Sequence, residues 1–479
     1  MVGVAAQQDR LASAADHEAS TSHVISQYAH IPDDAPVRLA KRTSNLFRPR
    51  TAAVGPGLDV SAFTRPIDVD PVSLTARVQG MTTYEDLVEA TLAQGCMPLV
   101  VPQLRTITLG GAVTGLGIEA TSFRNGLPHE SVLEIEILTG DGEVVVARPE
   151  GERADLFHAF PNSYGTLGYA LSLTIELERV HPYVALRHVR FHDLTAATDA
   201  IGAIMVSRAW DGEPVDFLDG VVFSRDEVYL TLGQWADTLA DAPDGRASDY
   251  TGQQVFYRSI QQRERDLLTV RDYLWRWDTD WFWCSRAFGV QHPLVRRLWP
   301  KRKLRSDVYG RLVAFENRHQ VMARIDARRG NPPRERVVQD VEIPLDRTAA
   351  FLDWFLREVP IEPLWLCPVQ LRAAGARGAS ETGSTPWPLY PMDVGQQYVN
   401  VGFWSTVPIR PGHVDGDTNR VIEDEVTALG GHKSLYSDAY YDQETFEQLY
   451  GGSDYSLAKK KYDPRGRLHS HYDKAVRKR

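Results

Sequence analysis

Hydrophobic and polar residues alternate most clearly in two short stretches. Leu133, Ile135 and Ile137 alternate with Glu134 and Glu136, which predicts a half-buried strand. Asp141-Gly142 supplies a turn and Val144-Val145-Val146 a return strand, so the pair forms a hairpin. Leu171, Leu173, Ile175 and Leu177 alternate with Ser172, Thr174 and Glu176, a further strand that His181-Pro182 ends. A helix precedes them: Thr82-x-x-Glu85 reads as a capping box, Leu87, Ala90, Thr91 and Leu92 carry the helix to Gln94, and Gly95 supplies its exit. Asp155-Leu156-Phe157 opens a second, short helix. From about residue 183 the pattern predicts long helical stretches rich in tryptophan, then a loop-like stretch at 374–392, then a compact aromatic and basic tail. No repeat of solenoid period is visible.

The 479 residues exceed one ordinary core and predict two or three domains. Acidic residues outnumber basic ones by 63 to 53, a net charge of −10 that argues against a general nucleic-acid binder. Cys96, Cys284 and Cys367 are odd in number and far apart, which fits neither a disulfide framework nor a zinc site and points to a reducing, cytoplasmic setting. The longest run without charge, Leu156–Ile175, is broken by Pro161, Asn162, Gly165 and Gly168, so no membrane span is expected. The first 20 residues lack the basic-then-apolar order of a signal peptide and read as a polar, disordered tail.

The most informative stretch is VPQLRTITLGGAVTGLGIEATSFRNG, residues 101–126. Gly110, Gly111, Gly115, Gly117 and Gly126 would let backbone amides approach a phosphate, with Thr108, Thr114 and Ser122 as added donors. Plain tight turns explain the same glycines. No Gly-Lys-Ser/Thr follows, and the Gly-x-Gly-x-x-Gly dinucleotide fingerprint is absent. A second glycine element, Gly165-Thr166-Leu167-Gly168, opens the strand at Leu171.

In the order helix Thr82–Gln94, Pro102, Thr108–Gly117, hairpin Leu133–Val146, Asp155–Phe157 and Gly165–Gly168, the chain resembles the flavin-binding domain of the vanillyl-alcohol oxidase and p-cresol methylhydroxylase superfamily. Gly115-Leu116-Gly117-Ile118-Glu119, Val337-Val338-Gln339-Asp340 with Pro344, Trp365-Leu366-Cys367-Pro368 and Leu435-Tyr436-Ser437-Asp438-Ala439-Tyr440 are similar to the delta-24 sterol reductase branch and its bacterial relatives. The resemblance implies an α+β protein: a p-cresol methylhydroxylase-type FAD-binding domain of two α/β subdomains over 21–185, an α+β cap over 186–410, and a C-terminal segment, 411–479, packing back on the FAD domain. It implies FAD held by Thr108, Leu109, Gly110, Gly111, Ala112, Val113, Thr114, Gly115, Leu116, Gly117, Ile118, Glu119, Ala120 and Ser122, with the flavin ring near Gly165, Thr166 and Gly168. The loop Lys41-Arg42-Thr43-Ser44-Asn45 lacks the histidine of covalent flavin sites, so non-covalent FAD is expected.

That branch reduces an isolated carbon–carbon double bond in a lipid, which implies protonation to a tertiary cation, hydride from reduced flavin and NADPH as electron donor. A 10-methylene fatty acyl chain on a phospholipid is the leading substrate, with a SAM-dependent lipid methyltransferase as a possible partner. A delta-24 sterol reductase, an oxidase of sugars or alcohols on the same fold, and a non-catalytic flavoprotein subunit are the alternatives. Candidate acids are Glu119, Asp438 and Tyr440, with Tyr441, His432 and Lys433 behind them. Glu119 reads equally as a loop anchor. Cys367 reads as a buried small hydrophobe. Trp275–Trp283 suits cap core, an apolar tunnel or a membrane interface. The run Arg296–Lys303 suits a solvated surface, anionic phospholipid or the NADPH phosphate, and Lys459–Lys461 raises the same choice.

Overall fold

The alternating stretches assemble into one antiparallel sheet. This computed structural model describes residues 11–41, 57–243, 245–319, 324, 328–372 and 386–477. Strands β1 (Pro66–Asp70), β2 (Thr75–Gln79), β4 (Val132–Leu138), β5 (Val144–Ala147) and β6 (Tyr169–Arg179) pair in the order β1-β2-β6-β4-β5. β3 (Cys96–Pro98) pairs with the C-terminal end of β6. The expected hairpin is β4–β5, paired from Ile135↔Ala147 to Leu138↔Val144, and Gly142 in its turn takes a left-handed φ of 91°. The helix runs Tyr84–Leu92 and starts one residue later than the capping box suggests. Thr83, not Thr82, accepts from the Asp86 amide at 3.2 Å, while the Thr82 carbonyl accepts from Leu109 N at 2.9 Å. Gly95 leaves the helix at φ 72°.

The polar start departs from the expected tail. From Ala14 it is a helix, Ala14–Ala29, opened by a reciprocal capping box between Ser13 and Asp16. Only His17, Val24 and Tyr28 are buried on it, so its apolar stripe is too sparse to stand out in the sequence. His17 Nε2 meets Glu136 Oε2 at 2.6 Å, and the Tyr28 hydroxyl donates to the Gly140 carbonyl at 2.7 Å.

The long helices expected after residue 183 largely give way to a second antiparallel sheet, the cap. Its strands are β7 (Tyr183–Phe191), β8 (Phe217–Ser224), β9 (Glu227–Ala236), β10 (Arg265–Thr269), β11 (Arg334–Pro344), β12 (Leu364–Val369), β13 (Tyr398–Pro408) and β14 (His432–Lys433), in the order β10-β7-β9-β8-β12-β13-β11-β14. Both faces are covered, so strands such as β12 read as continuous apolar runs without a period of two. The outer face, with Val337, Val341, Val401 and Phe403, packs against the helices Leu194–Ser207, Leu345–Glu358 and Asp417–Ala428. That last helix and β14, grouped with the tail by sequence, complete the cap. The inner face joins the first sheet's residues in one apolar core.

From Leu435 the chain turns back toward the N-terminal domain. Gly140 N donates to the Tyr462 carbonyl at 2.8 Å, the Tyr462 hydroxyl donates to Asp155 at 2.7 Å, and Val37 N donates to the Arg467 carbonyl at 2.8 Å. Residues 374–385 of the loop-like stretch lie outside the described residues; in the remainder Trp387, Leu389 and Tyr390 are buried. Among the described residues no helix is long and apolar enough to cross a membrane.

Candidate flavin and substrate site

The glycine run is pressed into the N-terminal domain by backbone contacts that leave no room for side chains. Thr108 caps the short helix Leu109–Thr114, its hydroxyl oxygen accepting from Gly111 N at 3.2 Å. Gly110 N donates to the Gly80 carbonyl at 2.9 Å, and a Cβ on Gly110 would stand 2.6 Å from that oxygen. A Cβ on Gly117 would stand 2.7 Å from the Pro102 ring and 2.8 Å from the Pro128 ring. Thr114 donates its hydroxyl proton to the Gly110 carbonyl at 2.7 Å, and Ser122 Oγ accepts from Glu119 N at 3.1 Å. The glycines are therefore required by the fold of the loop itself. Three side-chain atoms bordering the run, Thr82 Oγ1, Gln103 Nε2 and Ser163 Oγ, are buried and have no partner among the described residues. Buried polar groups are normally satisfied, so this border suits a polar ligand, as FAD would be. Arg42–Asn45, on which non-covalent binding was judged, lie outside the described residues.

The second glycine element is a strained turn. Asn162, Tyr164 and Gly165 take φ values of 60°, 52° and 77°, and Gly168 takes 143°. Two of these are non-glycine residues in the left-handed region, a costly conformation that clusters at functional sites. Neighbouring elements hold the turn. Tyr164 N donates to the Thr114 carbonyl at 2.7 Å, Asn162 Nδ2 donates to the Leu389 carbonyl, and Lys459 Nζ donates to the Thr166 carbonyl at 2.8 Å. The Tyr164 ring would lie 3.2 Å from a Cβ on Gly115. Thus the turn, the end of the glycine run and the tail meet.

On the cap side, β11 pairs with β13 so that Asp340 faces Gly402 and Glu342 faces Asn400. Their side chains share the inner face, since residues two apart on a strand point the same way. Burial pushes the Asp340 carboxyl up to about 7, against the lowering effect of hydrogen bonds from Tyr436 and Asn400. Burial pushes Glu342 well above the usual carboxylate range; Ser434 Oγ donates to it at 2.6 Å, and Tyr390 and His432 Nε2 also approach it. His432 is held down to about 3 by burial and is neutral. Tyr436 accepts from Trp404 Nε1 at 3.2 Å. Tyr164 lies within electrostatic reach of both Tyr390 and Tyr436. Tyr164 thus brings the end of the glycine run and the strained turn within reach of this pair of buried carboxyls.

Of the acids named from sequence, His432 lies beside Glu342, while Glu119, Asp438 and Tyr440 are engaged by other partners. Arg276 Nη2 binds Glu119 Oε1 at 3.0 Å and Asp219 Oδ2 at 2.9 Å, and Trp277 Nε1 donates to the same Asp219 oxygen at 2.9 Å. All four side chains are buried, and Arg276 stacks 3.9 Å from the Tyr273 ring centroid. Burial raises Glu119 to about 7, opposed by Arg276 and reinforced by Asp219. In this structure Glu119 ties the glycine run to the cap. Asp438 Oδ2 pairs with Arg336 Nη2 at 2.7 Å. The Tyr440 ring packs against Gly416, with Arg420 above it at 5.2 Å. Tyr441 is buried in a separate apolar cluster. His432 and Lys433 are buried rather than surface residues, and Lys433 Nζ pairs with Glu423 at 2.7 Å. Cys367 is buried beside Glu119 and Asp219, its thiol pushed well up by that burial. Sequence reasoning did not select Asp340, Glu342 or Tyr436 as acids. The available signal was Asp340-x-Glu342, two carboxyls at strand spacing within the apolar run Val337–Ile343.

Residues 20–148 match the FAD binding domain family. The chain is 26% identical over 447 residues to a delta(24)-sterol reductase of Arabidopsis thaliana, covering 88% of this chain and 77% of the relative. It is 25% identical over 425 residues to the delta(24)-sterol reductase of Mus musculus, covering 85% and 75%. Cytokinin dehydrogenase 9 of rice matches over 180 residues at 26% identity, 37% of this chain and 33% of that protein. The mixed α+β architecture and large antiparallel cap sheet are consistent with the p-cresol methylhydroxylase type. The protein is an FAD-dependent oxidoreductase. It is related over most of its length to the delta(24)-sterol reductases.

Proposed function

We propose that this chain reduces an isolated carbon–carbon double bond in a lipid, first among them a sterol-type side-chain alkene. The observation that carries the reading is the pair Asp340 and Glu342, buried on one face of β11, raised by that burial and set with Tyr436 within reach of Tyr164 in the strained turn. An unactivated alkene has no carbonyl to polarise, so its reduction needs a strong proton source in a dry site. Asp340 supplies it, with the Tyr436 hydroxyl beside its carboxyl. When bound, reduced FAD supplies the hydride. The glycine run and the Thr82, Gln103 and Ser163 atoms, unpaired among the described residues, would hold the cofactor, with the left-handed Tyr164–Gly168 turn beside them. Trp365, Phe282 and Trp404 exclude water; Phe282 and Trp404 stack with centroids 4.2 Å apart. Glu119, Asp438 and Tyr440 are positioning residues in this reading.

The sterol substrate is favoured over the 10-methylene acyl chain because relatives that match over most of this chain are delta(24)-sterol reductases. A methylene-branched acyl chain gives the same kind of tertiary cation and remains the second substrate to try, with NADPH as donor in both cases. The test is product analysis. Purified protein, NADPH and either a sterol with a Δ24 alkene or a methylene-branched phospholipid are incubated without oxygen, and the lipid is examined by mass spectrometry. Gain of two hydrogens at the alkene supports the reading. Oxygen consumption with sugars or alcohols, and no lipid reduction, would replace it with an oxidase.

A further inference from the structure

The exposed apolar side chains that cluster in sequence and space belong to the cap. Leu294, Val295 and Leu298 lie on the helix Pro293–Leu298, and Leu312 and Phe315 on the helix Ser306–His319. Leu298 is 84% exposed, Leu294 67% and Phe315 58%. Trp299 bridges the two helices by stacking on Tyr309, and Leu312 sits one turn beyond Tyr309. Isolated exposed leucines need no explanation; five large apolar side chains on two adjacent helices do.

Basic residues predominate beside the first helix, while the second also carries Asp307, paired with Arg305 at 2.9 Å, and Glu316. No acidic residue occurs between Asp280 and Asp307. Arg296, part of the basic run singled out in the sequence, is buried and spent on Asp280 at 2.7 Å and on the Gly252 and Tyr250 carbonyls. Arg305 is engaged by Glu85 at 2.7 Å. Lys301 keeps one exposed pair, with Asp249 at 3.2 Å. Arg297, Arg302 and Lys303 are exposed. The other basic clusters do not offer the same surface: in the tail, Lys459 is bound to Asp463 at 2.7 Å and Lys461 to Asp155 at 2.8 Å. A protein with a net charge of −10 would be repelled by an anionic bilayer on average. It approaches one only through a local reversal of this kind.

We propose that the surface formed by the helices Pro293–Leu298 and Ser306–His319 docks the cap onto an anionic phospholipid bilayer. Leu294, Leu298, Leu312 and Phe315 enter the boundary between head groups and acyl chains, and Arg297, Arg302 and Lys303 meet the phosphates. Leucine and phenylalanine on one side with lysine and arginine beside them is the composition of an interfacial element, which lies in the plane of the membrane rather than across it. The surface also rests on the aromatic nest behind the candidate site. Tyr309 donates to the Thr279 carbonyl at 3.1 Å, two residues from Trp277, which stacks on Phe282 at 5.0 Å.

The experiment is co-sedimentation of the purified holoprotein with vesicles of phosphatidylcholine alone or of phosphatidylcholine with phosphatidylglycerol. Wild type should pellet with the anionic vesicles, weakly with neutral ones, and less as salt rises. Each basic side chain at the surface contributes a factor of about five, so Arg302→Glu with Lys303→Glu should weaken partitioning at least about 25-fold. Leu298→Glu with Phe315→Glu should abolish it, with flavin content and melting temperature unchanged. Absence of binding, equal binding to neutral vesicles, or variants that pellet like wild type would overturn the proposal. So would a wild-type dimer, seen by sedimentation velocity, that the Leu298→Glu, Phe315→Glu variant dissolves without vesicle binding in either protein. Docking is independent of the reaction: vesicle binding by a protein that reduces no lipid would retain this surface and remove the proposed function.

Discussion

Burial decides the charge of Asp340. Desolvation raises the carboxyl to about 7, so near neutrality a large share of molecules carry the proton an alkene requires. The protonated form is the active one. The rate of lipid reduction should therefore be steady in mild acid and fall about tenfold per unit once the pH exceeds roughly 7. Asp340→Asn keeps the shape and removes the acid. Stopped-flow measurement should show lipid-driven flavin reoxidation slowed roughly 10²- to 10⁴-fold, with NADPH-driven bleaching unchanged. Equal loss in both half-reactions would mean that Asp340 holds the cofactor or the fold instead. At this scale the sequence was only half legible. Glu119 stood out because it follows the glycine run, yet its carboxylate is committed to Arg276. Asp340 was noted only as part of a family-like motif and Glu342 not at all, because only strand pairing shows that both face inward beside Tyr436 and Asn400.

The elements were legible where one face is buried and the other polar. β4 and β6 alternate cleanly, β5 follows from the Asp141-Gly142 turn, and all three were placed within about two residues of their ends. The cap strands were not, because β8 and β12 are covered on both faces and mimic buried helix. The glycine run was recognised, but its reason changes. Gly117 is fixed by Pro102 and Pro128, not solely by a phosphate. Gly117→Val should thus lower stability by about 1–3 kcal/mol through overpacking, even in flavin-free protein; a flavin-free variant that melts like wild type would restore the phosphate as the sole cause. The link between the domains offers a second check. Arg276→Met leaves Glu119 and Asp219 buried without their shared cation and should cost about 3–5 kcal/mol in chemical denaturation. A loss below about 1 kcal/mol would show that the two carboxyls simply take up protons.

The sequence predicts two domains with the segment from residue 411 packing back on the first; in the structure the helix Asp417–Ala428 and β14 pack with the cap strands before the chain crosses back. The carboxyls held between the domains also set the pH behaviour of the whole. Glu119, Asp340 and Glu130, which accepts from Arg372 N at 2.9 Å, rise to about 7, and Glu342 also rises well above its ordinary value, all by burial. Folded values above the unfolded range of roughly 4 mean that their contribution is complete below about pH 4 and is lost as pH climbs through 7. Glu136 and Asp155, lowered by their partners, act in the opposite sense, losing their contribution only in acid. The thermal midpoint should be higher near pH 5.5 than near pH 8.5, and Glu342→Gln should flatten the alkaline fall. A midpoint that rises into alkali would contradict this burial.

The most direct measurement of the central claim is anaerobic. Purified holoprotein is bleached by NADPH at the flavin band, about 450 nm by the general optics of flavins, and then mixed with a Δ24 sterol or, separately, with methylene-branched phospholipid. The account predicts that one of these lipids restores the oxidised flavin spectrum in a single turnover, fast in wild type and slow in Asp340→Asn. Flavin that stays reduced with both lipids, and is reoxidised only by oxygen, would contradict it.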